Sequence, residues 1–265
     1  MGDYLDLTLL PLLRKWMQNS VSAGKTVEPG SVALVTGGSR GLGREIVLTL
    51  VADGYEVIAN YLASEKEALN LAVQTSGRAV AMRADVTLSS QVQEMASLIE
   101  DRFRRLDVIV NNAGITKDNL LLRQSESEWD QVVGTNLKGC FNVIRFMTPL
   151  MIRSGGGHIV NISSYSGVKG KAGQAAYSAS KSALLGLTYT SAAEFAPYGV
   201  RVNALLPGYL MTGMGPVAAN AVAAAKRSSL LHDLSNPREA ASFVSSILKT
   251  KNITGQVFCL DSRVL

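Results

Sequence analysis

Seven short runs of β-branched and aliphatic residues, separated by stretches long enough to be helices, leave this chain few folds to adopt. The runs lie at residues 32–35, 57–59, 80–82, 108–110, 158–162, 200–204 and 257–260. Their apolar residues are consecutive rather than alternate, which marks strands buried on both faces. Helix signals fill the gaps. Residues 44–53 stop at Gly54, residues 65–76 stop at Gly77, and residues 89–105 carry Val92, Met95, Ala96 and Ile99 at helical spacing. Further helices are predicted over 127–154, 175–196 and 237–249. Strands joined by helix-length crossovers predict an α/β fold, a doubly wound parallel sheet of about seven strands with helices on both faces.

Composition agrees and removes alternatives. Of 265 residues 47% are apolar, which excludes a disordered chain, and 24 glycines with only 7 prolines and no triplet period exclude collagen. The pattern runs unbroken from Ser31, so residues 31–265 are expected to form one domain. Residues 1–30 differ: Leu5, Leu7, Leu9, Leu10, Leu12, Leu13, Trp16 and Met17 are apolar, while Asp3 and Asp6 stand where a secretory signal carries positive charge. An amphipathic helix and a linker are expected there, packing on this protein or a neighbouring subunit, with a membrane surface as the alternative. No uncharged apolar run approaches the ~18 residues of a membrane span. The net charge of +5 is scattered, and Arg102, Arg104 and Arg105 sit among Glu100, Asp101 and Asp107, which argues against a nucleic-acid partner. Two cysteines, Cys140 and Cys259, cannot build a disulfide framework or a four-ligand zinc site, and fit a reducing cytoplasm. With only His158 and His232 as histidines, neither a Ser-His-Asp hydrolase nor a metal site is expected.

The first strand runs straight into Thr36-Gly37-Gly38-Ser39-Arg40-Gly41-Leu42-Gly43 and then a helix. In that context glycines let a dinucleotide's pyrophosphate approach backbone N–H groups at the positive helix end; a βα turn that binds nothing is the alternative. Three more motifs follow in order: Asn111-Asn112-Ala113-Gly114 after the fourth strand, Tyr177 and Lys181 four apart in a long helix, and Pro207-Gly208 after the sixth strand. Together they resemble the short-chain dehydrogenase/reductase family, whose fold is Rossmann-type. Within it, residues 177–181, 199–203 and 253–256 look most like 3-oxoacyl-acyl-carrier-protein reductases and related acetoacetyl-CoA reductases.

The resemblance implies a nicotinamide cofactor held by Gly37, Ser39, Arg40, Gly41, Leu42, Gly43, Asn60, Asp85, Val86, Asn112, Ala113, Gly114, Tyr177, Lys181, Pro207, Gly208 and Thr212. Asn60-Tyr61 ends the second strand without the carboxylate that would disfavour a 2′-phosphate, and Arg40 lies in the turn, where a guanidinium can pair with phosphate. NADP(H) is therefore expected. Asp85 either contacts the adenine or caps the turn that follows it.

Four apart on a helix, Tyr177 and Lys181 share a face, and a nearby ammonium is expected to stabilise the phenolate and lower the tyrosine's pKa. The resemblance makes Tyr177 the proton donor, Ser164 the group that polarises the carbonyl, with Ser163 as its competitor, and Asn136 the residue that helps hold the lysine. It implies reduction of a 3-oxoacyl thioester on acyl carrier protein or CoA, in a homotetramer. Another ketone, or a noncatalytic NADP-binding role, are the alternatives. Residues 209–235 fall where the family has its substrate lid, with a helix expected near 218–225. Two departures stand out. Tyr198 replaces an often basic position used in carrier docking, leaving Lys138, Arg153, Lys169 and Lys171 as substitutes, and Asp261-Ser262-Arg263 replaces Asp-Gly-Gly, which is expected to alter packing near the pocket.

Overall fold

A computed structural model describes residues 30–211 and 219–263 of the chain. The seven expected strands are all present: β1 (Val32–Val35), β2 (Glu56–Tyr61), β3 (Ala79–Arg83), β4 (Val108–Asn111), β5 (Gly157–Ile162), β6 (Val200–Leu206) and β7 (Val257–Cys259). They pair in parallel in the order β3-β2-β1-β4-β5-β6-β7. The chain thus winds outward one way from β1 to β3, then returns to the other side of β1 with β4. In such sheets a crevice opens beyond the carboxyl ends of the two strands at the reversal, here β1 and β4.

The helices are α1 (Gly41–Ala52), α2 (Glu65–Gln74), α3 (Ser89–Phe103), α4 (Glu126–Val133), α5 (Gly139–Arg153), α6 (Ser166–Lys169), α7 (Ala175–Phe195), α8 (Ala219–Ser228) and α9 (Pro237–Leu248). Strand side chains alternate between two cores. Ala33 and Val35 of β1 face Ile46, Val47 and Leu50 of α1 and Ala241, Val244 and Ile247 of α9. Val32 and Leu34 face the other way, with Met95 and Ile99 of α3, Val143, Met147 and Met151 of α5, and Leu184 of α7. Each fully buried Leu, Ile or Met contributes ~1.5–3 kcal/mol, so the sheet is fixed from both sides.

Three differences from the expected elements matter. Helix α1 begins at Gly41 rather than Arg44, so the glycine turn is itself the first helical turn and Arg40 is its N-cap residue. The single helix expected over 127–154 starts at Glu126, where Ser125 and Glu128 form a capping box, and carries a π turn, Gly134–Lys138, between α4 and α5. Helix α6 has only four residues, too few for a periodic signal. The helix expected within residues 1–30, and Thr212, lie outside the described residues. Among the described residues, no helix is long and apolar enough to cross a membrane.

Candidate active site

The glycine turn is held open by its neighbours. Gly37 has φ +61°, which favours glycine. A Cβ on Gly43 would lie 2.2 Å from the Gly37 carbonyl oxygen and 2.5 Å from Asn112 Nδ2, so only glycine fits there. Thr36 Oγ1 accepts from the backbone N–H groups of Asn112 and Ala113, both at 3.0 Å, and Asn112 Nδ2 donates to the carbonyls of Thr36 at 2.9 Å and Gly37 at 3.1 Å. The motifs after β1 and β4 are therefore one hydrogen-bonded unit across the crevice. The early N–H groups of α1, free of helical partners by geometry, open at the turn and suit a pyrophosphate. Ser39 is buried in the turn and Arg40 is exposed beside it. This bare cradle, which a single methyl group would fill, fits the dinucleotide that the sequence implies.

Two expected cofactor contacts have side chains committed elsewhere. Asn60 is 2% exposed, and its Nδ2 donates to the carbonyls of Met82 at 3.3 Å and Ala84 at 3.0 Å, while its own carbonyl accepts from Gly38 N at 2.9 Å. It braces the turn from behind rather than reaching over it, because β3 supplies acceptors on that side. Asp85 Oδ1 accepts from Thr87 N at 2.9 Å and Thr87 Oγ1 at 2.7 Å, the turn-capping role. Val86 is buried, with its carbonyl accepting from Asn142 Nδ2 at 2.9 Å.

Around the carboxyl ends of β4 and β5 the expected catalytic set comes together. Ser164 hydrogen-bonds the Tyr177 side chain, and Ser166 N donates to Ser164 Oγ at 3.2 Å, which fixes the hydroxyl. Ser163 is spoken for: it is buried and its hydroxyl donates to the Lys181 carbonyl at 2.7 Å. Lys181 is buried, its Nζ donates to the Ile162 carbonyl at 2.7 Å, and it stands 5.8 Å from the Tyr177 ring centroid. Asn136 lies in the π turn; its Oδ1 accepts from Ile115 N at 2.8 Å and its Nδ2 donates to Ile115 O at 3.0 Å and Ser180 Oγ at 3.1 Å. Gly114 sits against the same groups, since a Cβ there would lie 3.3 Å from Asn136 Oδ1 and 3.5 Å from Lys181 Nζ. Pro207 and Gly208 follow β6 at the rim of the same edge.

The electrostatics correct one expectation. Tyr177 is pushed up from its ordinary value, first by burial and further by the Asp118 carboxylate, with the Ser164 hydrogen bond opposing. Lys181 is buried as well, and desolvation brings its ammonium down to about 8, so it still carries its charge at neutral pH.

Several supporting residues were not among the expected site residues. Asn111 Nδ2 donates to Asn161 Oδ1 and Asn161 Nδ2 to Thr188 Oγ1, both at 2.9 Å, tying β4, β5 and α7 together beneath the site. A lone asparagine within the apolar run 158–162 was the signal. Ser180 links Asn136 to α7, and Gln174 Nε2 donates to Asp118 Oδ2 at 2.9 Å.

A nucleotide cradle at the sheet reversal beside a Ser-Tyr-Lys set defines a nicotinamide-dependent oxidoreductase, and the family model for short chain dehydrogenases matches residues 31–222. The chain belongs to the short-chain dehydrogenase/reductase family. Among its relatives, the 3-oxoacyl-[acyl-carrier-protein] reductase FabG of Staphylococcus epidermidis is 42% identical over 235 residues, 84% of this chain and 94% of that protein. The protein of the same name from Thermotoga maritima is 36% identical over 244 residues, covering 88% and 96%. A 3-oxoacyl-[acyl-carrier-protein] reductase of Synechocystis is 42% identical over 192 residues, covering 71% and 78%.

Proposed function

We propose that this enzyme uses NADPH to reduce a 3-oxoacyl thioester to the 3-hydroxyacyl thioester in fatty-acid biosynthesis. The observation that carries the reading is the hydrogen-bonded Ser164–Tyr177 pair, with buried Lys181 behind it, at the crevice where the glycine turn opens. When bound, the nicotinamide cofactor supplies a hydride. Ser164 and Tyr177 receive the ketone oxygen, where the Ser164 hydroxyl stabilises the growing negative charge and the Tyr177 phenol transfers its proton. Lys181, at about 8, carries a proton at neutral pH and releases it readily, which suits it to replenish Tyr177. Asn136 keeps the β4 loop and α7 in register through Ile115 and Ser180. Exposed Arg40 is the phosphate partner that favours NADPH, and the inward-turned Asn60 offers no carboxylate against it.

Steady-state oxidation of NADPH and NADH with acetoacetyl thioesters on CoA and on acyl carrier protein tests the reading. We expect a higher kcat/KM with NADPH, and Tyr177→Phe is expected to lower kcat at least ~100-fold with NADPH affinity retained. Near wild-type turnover by that variant would overturn the assignment.

Lys169 and Lys171, exposed beside the Ser164–Tyr177 mouth, are the basic residues we assign to an acidic carrier protein; Arg153 instead pairs with Glu100 at 2.7 Å. We also propose a cytoplasmic homotetramer. Trp129 on α4, Phe141 on α5 and Tyr189 on α7 are apolar and exposed, the last by 51%, and a subunit contact would cover them. Solution mass should be four times 28.2 kDa; a monomer at micromolar concentration excludes the assembly.

A further inference from the structure

The turn after β7 reaches the loop that holds Ser164. Arg263 lays its guanidinium over the ring of Tyr165, 4.0 Å from the centroid, and Tyr165 follows Ser164 directly. Asp261 fixes that guanidinium: Nε donates to both carboxylate oxygens at 2.9 Å, Nη2 donates to Oδ2, and the Arg263 N–H donates to Oδ1 at 2.9 Å. The two side chains are only 15% and 5% exposed. On its far side the turn is tied to the segment that follows α8, where Leu230 N donates to the Ser262 carbonyl at 3.1 Å and the hydroxyls of Ser229 and Ser262 pair.

Two roles are open to a guanidinium beside a catalytic serine, and the partners decide between them. An anion receptor needs charge to spare, but this cation is neutralised by a buried carboxylate and lies flat on an aromatic face. What the pair presents is bulk: two stacked planar groups, held by the Ser164 loop on one side and tied through Ser262 to residues 229–230 on the other.

We propose that the Tyr165–Arg263 stack is the end wall of the acyl-binding space and makes the enzyme selective for short 3-oxoacyl thioesters. The inference rests on the proposed thioester reduction and adds the substrate class to it. Neither residue belongs to the proton-transfer set, so removing the wall should change which chains fit while leaving the chemistry in place.

The experiment compares kcat/KM for acetoacetyl-CoA and 3-oxododecanoyl-CoA. The wild type is expected to favour the short substrate by at least ~10-fold, as steric exclusion of a few methylenes allows. Tyr165→Val, which leaves the ion pair intact, should raise the long-to-short ratio at least ~10-fold, mainly through KM of the long substrate, with NADPH affinity unchanged. Tyr165→Phe keeps the stack and should keep the ratio. The double variant Asp261→Asn/Arg263→Gly removes the guanidinium without stranding a buried carboxylate and should act like Tyr165→Val. A ratio unmoved in Tyr165→Val, or a wild type that prefers the long chain, overturns the wall while leaving the reductase reading standing. If the wild type reduces neither chain length, whether carried on CoA or on acyl carrier protein, both readings fall together.

Discussion

Tyr177 shows how far a motif can be trusted at the scale of one residue. The four-residue spacing correctly puts Tyr177 and Lys181 on one helix, but their ionisation depends on burial, which spacing does not encode. Desolvation raises the tyrosine and brings the lysine down to about 8. Asp118 adds to the first effect from a loop 59 residues earlier in the chain, held in place by Gln174. This has a pH consequence. In the proposed reduction Tyr177 donates its proton as the neutral phenol, so turnover should fade as pH rises through its ionisation. Asp118→Asn removes a negative charge that holds the proton on, so the alkaline limb of kcat/KM should move to lower pH, while Asp118→Glu leaves it in place. A limb that stays put or moves upward removes Asp118 from the electrostatics of the site. Adjacent serines pose a similar problem: the family resemblance favours Ser164 over Ser163, and the structure separates the two by the commitment of Ser163 to the Lys181 carbonyl and the bond between Ser164 and Tyr177.

Elements were more legible than side chains, because consecutive apolar residues and glycine stops are direct consequences of burial and helix termination. All seven strands and the main helices fall within a few residues of their expected positions. The misses have one physical origin each. The π turn at Gly134–Lys138 keeps helical apolar spacing nearly intact, so nothing in the pattern marks the extra residue that aims Asn136 at Ile115. Helix α1 starts at Gly41, earlier than its pattern predicts, because glycines weaken a helix signal even where close packing requires them. Gly43 tests that packing. Gly43→Ala forces a methyl group against the Gly37 carbonyl and Asn112 Nδ2, and overpacking of this kind costs ~1–3 kcal/mol. NADPH affinity should fall at least ~10-fold by fluorescence titration, with far-UV circular dichroism unchanged; full affinity in the alanine variant refutes the cradle.

The whole molecule carries a second titration, far from the chemistry. His158 lies in β5, is 1% exposed, and accepts at Nε2 from Asn203 Nδ2 at 2.7 Å, leaving Nδ1 buried without a hydrogen-bond partner among the described residues. Burial, with a smaller push from the Arg201 cation, lowers it to about 3. The unfolded chain, titrating near 6.5, binds a proton that the native state refuses between about 6.5 and 3, so stability falls as pH drops through that window. Between pH 7.5 and 5 the loss from this one group is about 2 kcal/mol. Urea denaturation at the two pH values should show that component in the wild type and its absence in His158→Gln; an equal loss in both proteins assigns the acid sensitivity elsewhere.

The strand order that makes the crevice also sets a schedule for assembly. β1 lies between β2 and β4, and its contacts with β4 and the Asn112 turn span 74 to 77 residues of chain. On a ribosome, the β1–β3 half emerges with one edge of β1 unpaired, an open template for the wrong neighbour until β4 is made. Asn60 of β2 already braces Gly38 in that half, but the bonds that Asn112 and Ala113 donate to Thr36 and Gly37 are missing, because those residues are not yet synthesised. The geometry that lets this enzyme hold a dinucleotide thus also fixes when it can first do so: after β4, and not before.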